Sequence, residues 1–232
     1  LFPDWYIARH LGVTLNENQR QTLTTIFEKI LASNLAEPKV FVHRDYHSRN
    51  LMLSAPNPGI LDFQDAVYGP ISYDLVSLYR DAYISWEEEQ ELDWTIRYWE
   101  AARAAKLPVH DDFYDFWRDY EWMGAQRQLK VLGIFARLNY RDGKAQYLDD
   151  MPRVMAYLRR TCERYIELKP LLLLNMLLRL LMPPPLRMLQ QLMLLQQPKL
   201  RLLLLTLLRR LMLPPLLLLK APMKSRWLRT LA

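Results

Sequence analysis

Apolar residues recur along this chain with two different periods, and the change of period divides it. Over residues 16–35, Leu23, Ile26, Phe27, Ile30, Leu31 and Leu35 fall at helical spacing with polar residues opposite, which predicts one amphipathic helix burying all six. Glu37 and Pro38 close it, because a residue before proline is pushed out of the helical region. Residues 40–43 then read as a short buried strand. The run 54–59, with two Pro, an Asn and a Gly, reads as the turn returning the chain to a second strand at Ile60 and Leu61. After Pro70 the helical period takes over. Helices are predicted over residues 73–83, 86–106, 111–140 and 145–168, with breaks at Ser85, at Leu107 and Pro108, and over residues 139–143. Trp5, Tyr6, Ile7 and Leu11 also lie at helical spacing, so the chain opens inside a helix-like pattern. Two short strands under a set of helices make an α+β, mostly helical architecture.

Between the two strands lies a dense polar loop carrying His43, Asp45, Arg49 and Asn50, and a further carboxylate, Asp62, ends the second apolar run. Phosphoryl transfer from ATP needs such parts: a carboxylate to accept or orient the acceptor's hydroxyl proton, and oxygen ligands to hold Mg²⁺ on the phosphates. Asp45 fits the first role; Asn50 and Asp62 fit the second. Taken singly, Asp and Asn are common turn residues and a His at a strand end is often a packed, hydrogen-bonded core residue. Four of them at this spacing on a strand–loop–strand frame favour the chemical reading, with His43 orienting the loop backbone rather than touching substrate. Arg49 is a candidate grip for a phosphate or carboxylate, which Arg holds bidentately, or else a solvated loop cation.

The spacing His-Arg-Asp, four residues, Asn, then Asp-Phe matches the kinase catalytic loop and metal site. It departs from protein kinases: Gln64 stands where Asp-Phe-Gly has its Gly, and no Ala-Pro-Glu segment follows. A polypeptide substrate is therefore not expected. The chain resembles the aminoglycoside phosphotransferase family of small-molecule kinases over about residues 1–168, and more narrowly its cell-wall amino-sugar kinases, in HRDYHSRNLM and in LDFQDAVYGPISYDLVSLYRDAYISW. The resemblance implies a protein-kinase-like C-terminal lobe, ATP with Mg²⁺, and a sugar acceptor, N-acetylmuramate or N-acetylglucosamine, phosphorylated at its anomeric hydroxyl during cell-wall recycling. It also implies that Asp74 braces the catalytic loop from the start of the next helix, where a carboxylate is in any case favoured by the helix dipole. An aminoglycoside or choline-type kinase would share every one of these residues. A non-catalytic sugar- or partner-binding module is the other alternative. No Gly-rich phosphate loop occurs in the sequence, and the expectation is a catalytic lobe, residues 1–170, without its nucleotide-covering lobe, so that activity would be impaired.

Charge changes the picture in one respect. The net charge of +6 arises in the last 62 residues, which hold 10 Lys and Arg and no Asp or Glu, while the rest has 21 basic against 25 acidic residues. The basicity is thus no argument for a nucleic-acid partner. Cys162 is the single cysteine, so no intrachain disulfide forms and a reducing cytoplasm fits best. Its surroundings read as those of an inert helical residue. Glu87, Glu88, Glu89 and Glu91 either initiate a helix or bind a cationic acceptor. The aromatics Trp94, Trp99, Phe113, Phe116, Trp117, Tyr120 and Trp122 either pack the core or stack on a sugar.

From Leu171 the composition shifts to Leu, Met, Pro, Arg, Gln, Lys and Thr, with 28 Leu in 62 residues. Arginines and prolines interrupt every apolar run, so no transmembrane span is expected. Val, Gly, Asp and Glu are absent, which codon bias explains better than folding physics. Residues 171–232 are expected to be an out-of-frame or unstructured tail, with a basic amphipathic segment on anionic lipid as the alternative.

Overall fold

The computed structural model describes residues 1–181. A helical segment, Phe2–His10, leads to helix α1 (Glu17–Ala36) and strand β1 (Lys39–Val42); strands β2 (Leu51–Met52), β3 (Gly59–Ile60) and β4 (Val67–Pro70) follow. The remainder is helical: α2 (Tyr73–Tyr79), α3 (Glu88–Ala104), α4 (Phe113–Tyr140), α5 (Met151–Arg164) and α6 (Lys169–Leu181). The architecture is α+β, mostly helical, as the periodicity predicts.

Helix α1 starts where a reciprocal cap forms: Asn16 Oδ1 accepts from the Gln19 N–H and Gln19 Oε1 from the Asn16 N–H, both at 2.9 Å. Its buried face is narrower than the apolar pattern predicts. Leu23, Ile26 and Ile30 are buried with Asn34, whereas Leu31 and Leu35 are more than half exposed. At 100° per residue, Leu31 and Leu35 rotate away from the stripe that Ile26 and Ile30 define, so helical spacing alone placed the edge of the face too far round.

Among the described residues the strands number four, in two ladders. β1 pairs antiparallel with β4, Val40 opposite Gly69, and β2 pairs antiparallel with β3 across the predicted 54–59 turn. Helix α4 is the spine, with Phe116, Tyr120, Met123, Leu132 and Phe135 buried and α1, α2, α5 and the first helical segment packed along it. That first segment crosses α4 at Gly133, where a Cβ would lie 2.8 Å from the Leu1 carbonyl carbon, so only glycine admits the crossing. Phe116, Trp117 and Tyr120 form one core cluster with Ile71, Leu75 and Val76. These aromatics of the dense run are core.

Across α2, α3, α4 and α5 runs a buried ionic network. Arg80, fully buried, donates to Glu91, to Glu121 at 2.9 Å and to Thr161 Oγ1 at 2.9 Å. Arg160 pairs with Glu91, and Arg164 with Glu88 and Glu121. Two members of the acidic run, Glu88 and Glu91, are thereby taken up in holding helices together.

In α6, Leu171, Leu174 and Leu178 are buried. The expectations for the tail fall, from residue 182 onward, outside the described residues. Among the described residues no helix is long and apolar enough to cross a membrane.

Candidate active site

The polar loop leaves β1 at His43 and re-enters a ladder at Leu51, and it is held from several sides. Asp74, at the start of α2, accepts the backbone N–H groups of His43 at 2.6 Å and Arg44 at 3.0 Å. Burial pushes the Asp74 carboxyl above its ordinary range, while those two N–H donors favour its charged form. Arg127, from α4, donates to the Arg44 carbonyl at 2.9 Å. Arg44 sits between them at φ +76°, a left-handed conformation that side chains rarely adopt. His43 is buried and its Nε2 lies 2.9 Å from the Leu61 carbonyl, which ties the loop to the segment bearing Asp62. Asp81 performs a second tether, accepting from the Ser48 N–H at 2.9 Å and the Tyr83 N–H at 2.8 Å.

Asn50 Nδ2 donates to the Asp45 carbonyl at 2.9 Å and approaches Asp62 Oδ2 at 3.4 Å. Gln64 donates to the other Asp62 oxygen at 2.6 Å. Asp62 lies at φ +65° and is exposed. Asn50 and Asp62 thus stand side by side, a short hard-oxygen donor set. Magnesium suits it, because Mg²⁺ takes one or two protein oxygens and completes its shell with water and substrate phosphate. Among the described residues no group of three His, Cys, Asp or Glu side chains is placed to hold a metal by itself. In the segments around this pair Met52, Leu53, Ile60, Leu61 and Phe63 are exposed.

On its other side Asp45 borders an open cleft shared with His47, Asp81, Tyr83, Arg127 and Gln128. Its lining holds buried polar atoms without a partner: Ser77 Oγ, His47 Nδ1, and both amide atoms of Gln128. Burial holds the His47 pKa below the ordinary imidazole value, which favours the neutral ring. Arg49, exposed, lies with its guanidinium 3.5 Å from the centre of the Tyr83 ring at the cleft. Cys162 is buried away from this site, with its thiol pushed up to about 12, and is inert.

The structure therefore brings His43, Asp45, Asn50, Asp62 and Asp74 into one constellation, with Arg49 at its rim. His47, Ser77, Asp81, Arg127 and Gln128 are additions for which the sequence held little signal. Arg127 and Gln128 stand on a helix more than 80 residues from Asp45, on a face that reads as ordinary α4 surface.

The family model described as phosphotransferase enzyme family matches residues 1–116, half of the chain. The chain belongs to that family. Among curated proteins it is similar to the N-acetylmuramate/N-acetylglucosamine kinase of Neisseria meningitidis serogroup B, 60% identical over 171 residues, which are 74% of this chain and 51% of the relative. The proteins of the same name from Pseudomonas putida and Caulobacter vibrioides are 51% and 41% identical over 74% and 68% of this chain, and 50% and 43% of their own lengths. The chain spans about half the length of the curated relatives it matches. The phosphotransferase match covers the whole loop and Asp62, while Arg127 and Gln128 lie beyond it.

Proposed function

We propose that the protein is an ATP-dependent kinase acting in the cytoplasm on the anomeric hydroxyl of N-acetylmuramate or N-acetylglucosamine. The observation that carries this reading is the position of Asp45, between the Asn50–Asp62 pair on one side and the polar cleft on the other. The names and identities of the relatives support the choice of acceptor.

The residues divide the work by position. Asp45 accepts or orients the acceptor hydroxyl proton from within the cleft. Asn50 Oδ1 and Asp62 would hold Mg²⁺, which would supply charge neutralisation for phosphoryl transfer. Asp74 and His43 fix the loop so that these groups meet the reactants in line. Arg49, over Tyr83, is placed to receive a phosphate or the lactyl carboxylate of a muramic acid.

Asp45 and Asp81 line the cleft with Arg80 and Arg127, and Arg80 is paired with Glu91 and Glu121, so the choice among acceptors rests on the relatives rather than on the cleft's charge. The test is ATP consumption by the chain with Mg²⁺ over a panel of N-acetyl amino sugars, unacetylated amino sugars, aminoglycosides and choline. Turnover confined to the N-acetyl amino sugars supports the reading; turnover with aminoglycosides or choline in their place overturns it.

A further inference from the structure

The peptide that enters Asp45 is aimed from outside the loop. The residue before it, Arg44, lies at φ +76°, and a strained backbone of that kind persists only where its surroundings over-determine it. Asp74 accepts the Arg44 N–H at 3.0 Å and so fixes the peptide before Arg44. The Arg44 carbonyl belongs to the next peptide, the one that leads into Asp45, and it accepts from Arg127 Nη1 at 2.9 Å. Beyond Asp45 the backbone is held again, because the Asp45 carbonyl accepts from the His47 N–H at 3.0 Å and from Asn50 Nδ2 at 2.9 Å. Arg127 is itself well fixed. It is 8% exposed, its guanidinium lies 5.2 Å from the centre of the Tyr73 ring, and Lys130, on the next turn of α4, donates to the Tyr73 hydroxyl at 3.1 Å. A buried cation is costly unless compensated, and the Asp74 carboxylate is near enough to act on its charge. An anion from α2 and a cation from α4 thus grip the two ends of one residue.

We infer that Arg127 is a positioning residue for phosphoryl transfer: by holding the Arg44 carbonyl it sets the peptide from which Asp45 reaches the acceptor hydroxyl. This deepens the reading proposed above and rests on Asp45 being the base. A misplacement of about 1 Å at a reacting group costs about 10²-fold in rate, so a hold on the peptide next to the base bears directly on turnover. The bond Arg127 makes is to the chain's own backbone. Its loss therefore falls on kcat rather than on the binding of either substrate.

The experiment combines steady-state kinetics of the full chain, with Mg-ATP and N-acetylglucosamine, and backbone ¹³C NMR, for the wild type, Arg127→Met and Arg127→Lys. Loss of one hydrogen bond from a charged donor corresponds to about 10- to 100-fold. In Arg127→Met kcat should fall by that factor, with both KM values within about 3-fold of wild type. In the same variant the Arg44 carbonyl ¹³C resonance should move upfield, as a carbonyl does on losing a donor, while the carbonyls of Val40 and Phe41 in β1 keep their positions. Arg127→Lys retains a cationic donor and should recover part of both effects, which a role in bulk packing would not produce; thermal melting establishes that the variants are folded, and either one suffices for the comparison. A wild-type kcat in Arg127→Met, even with a raised KM, or an unmoved Arg44 carbonyl overturns the assignment while the kinase reading stands. If the wild type transfers no phosphate to the sugar, the kinase reading falls and the role of Arg127 in transfer falls with it.

Discussion

Asp74→Asn is a near-isosteric change at the point where the polar loop is pinned, and the structure allows its effect to be worked through. The carboxylate accepts two backbone N–H groups, from His43 at 2.6 Å and Arg44 at 3.0 Å. Hydrogen bonds to a charged acceptor contribute about 1.5–3 kcal/mol each. An asparagine offers one oxygen to one of these amides and is obliged to turn its own NH₂ toward the other, so one bond is lost and two donors face each other. Arg44, held at φ +76°, is then free to relax toward the ordinary region, which removes a strain of about 1–3 kcal/mol and favours the opened loop further. A net loss of about 3 kcal/mol at the loop corresponds to about 10²-fold faster local opening. Native-state hydrogen exchange reads this directly at the two amides concerned. The His43 and Arg44 N–H groups should lose about 10²-fold protection in Asp74→Asn, with a fall in phosphoryl transfer alongside. Unchanged protection at both amides would refute the brace, even if turnover fell, because Asp74 would then be acting by some other route.

Two further outcomes follow from buried charge. Burial pushes the Glu37 carboxyl from 4.5 up to about 8, with Ser72 donating its N–H at 3.2 Å. The folded state therefore keeps a proton that the unfolded state has released, and the stability this group contributes is fully present below about pH 4.5 and lost as pH rises toward about 8. Urea midpoints of Glu37→Gln should decline less between pH 5 and pH 8 than those of the wild type; parallel profiles would refute the assignment. Arg80→Met leaves Glu91 and Glu121 buried with fewer compensating charges, for a loss of about 3–5 kcal/mol in urea unfolding. A loss under about 1 kcal/mol would mean that Arg160 and Arg164 satisfy both carboxylates unaided.

Much of this site is local in the chain, which is why it was legible. His43, Asp45, Asn50 and Asp62 lie within twenty residues, and their roles follow from a spacing that a strand–loop–strand frame turns into proximity. Asp74 was accessible too, through the resemblance and through its place at a helix start. The rest depends on distant packing. Arg127 and Gln128 reach the cleft only because α4 passes under the loop, and nothing in their neighbours distinguishes them from α4 positions that face solvent. The pairing of β1 with β4 was likewise hidden, since Val67–Pro70 is short and interrupted by Gly69, and its partner is chosen by how α2 turns back from Ser72. Glu88 and Glu91 stand in the first turn of α3, as the helix-initiation reading has it, but their pairing with arginines was hidden, because an acidic run has the same appearance whether it meets solvent, a cationic ligand or buried arginines. The aromatic run resolved toward core for the same reason, because burial of Phe116, Trp117 and Tyr120 depends on Ile71 and Leu75 arriving from another helix.

The most direct measurement is transfer itself, resolved to the atom. The chain is incubated with Mg-ATP and N-acetylglucosamine labelled with ¹³C at C1, and the product is followed by ¹³C and ³¹P NMR, for the wild type and for Asp45→Asn. The account predicts a phosphorus–carbon coupling at C1 in the wild type and a rate lower by about 10²–10⁴-fold in Asp45→Asn, the usual contribution of a positioned general base. Phosphate on another hydroxyl, no sugar phosphate from the wild type, or equal rates from the two proteins would contradict it.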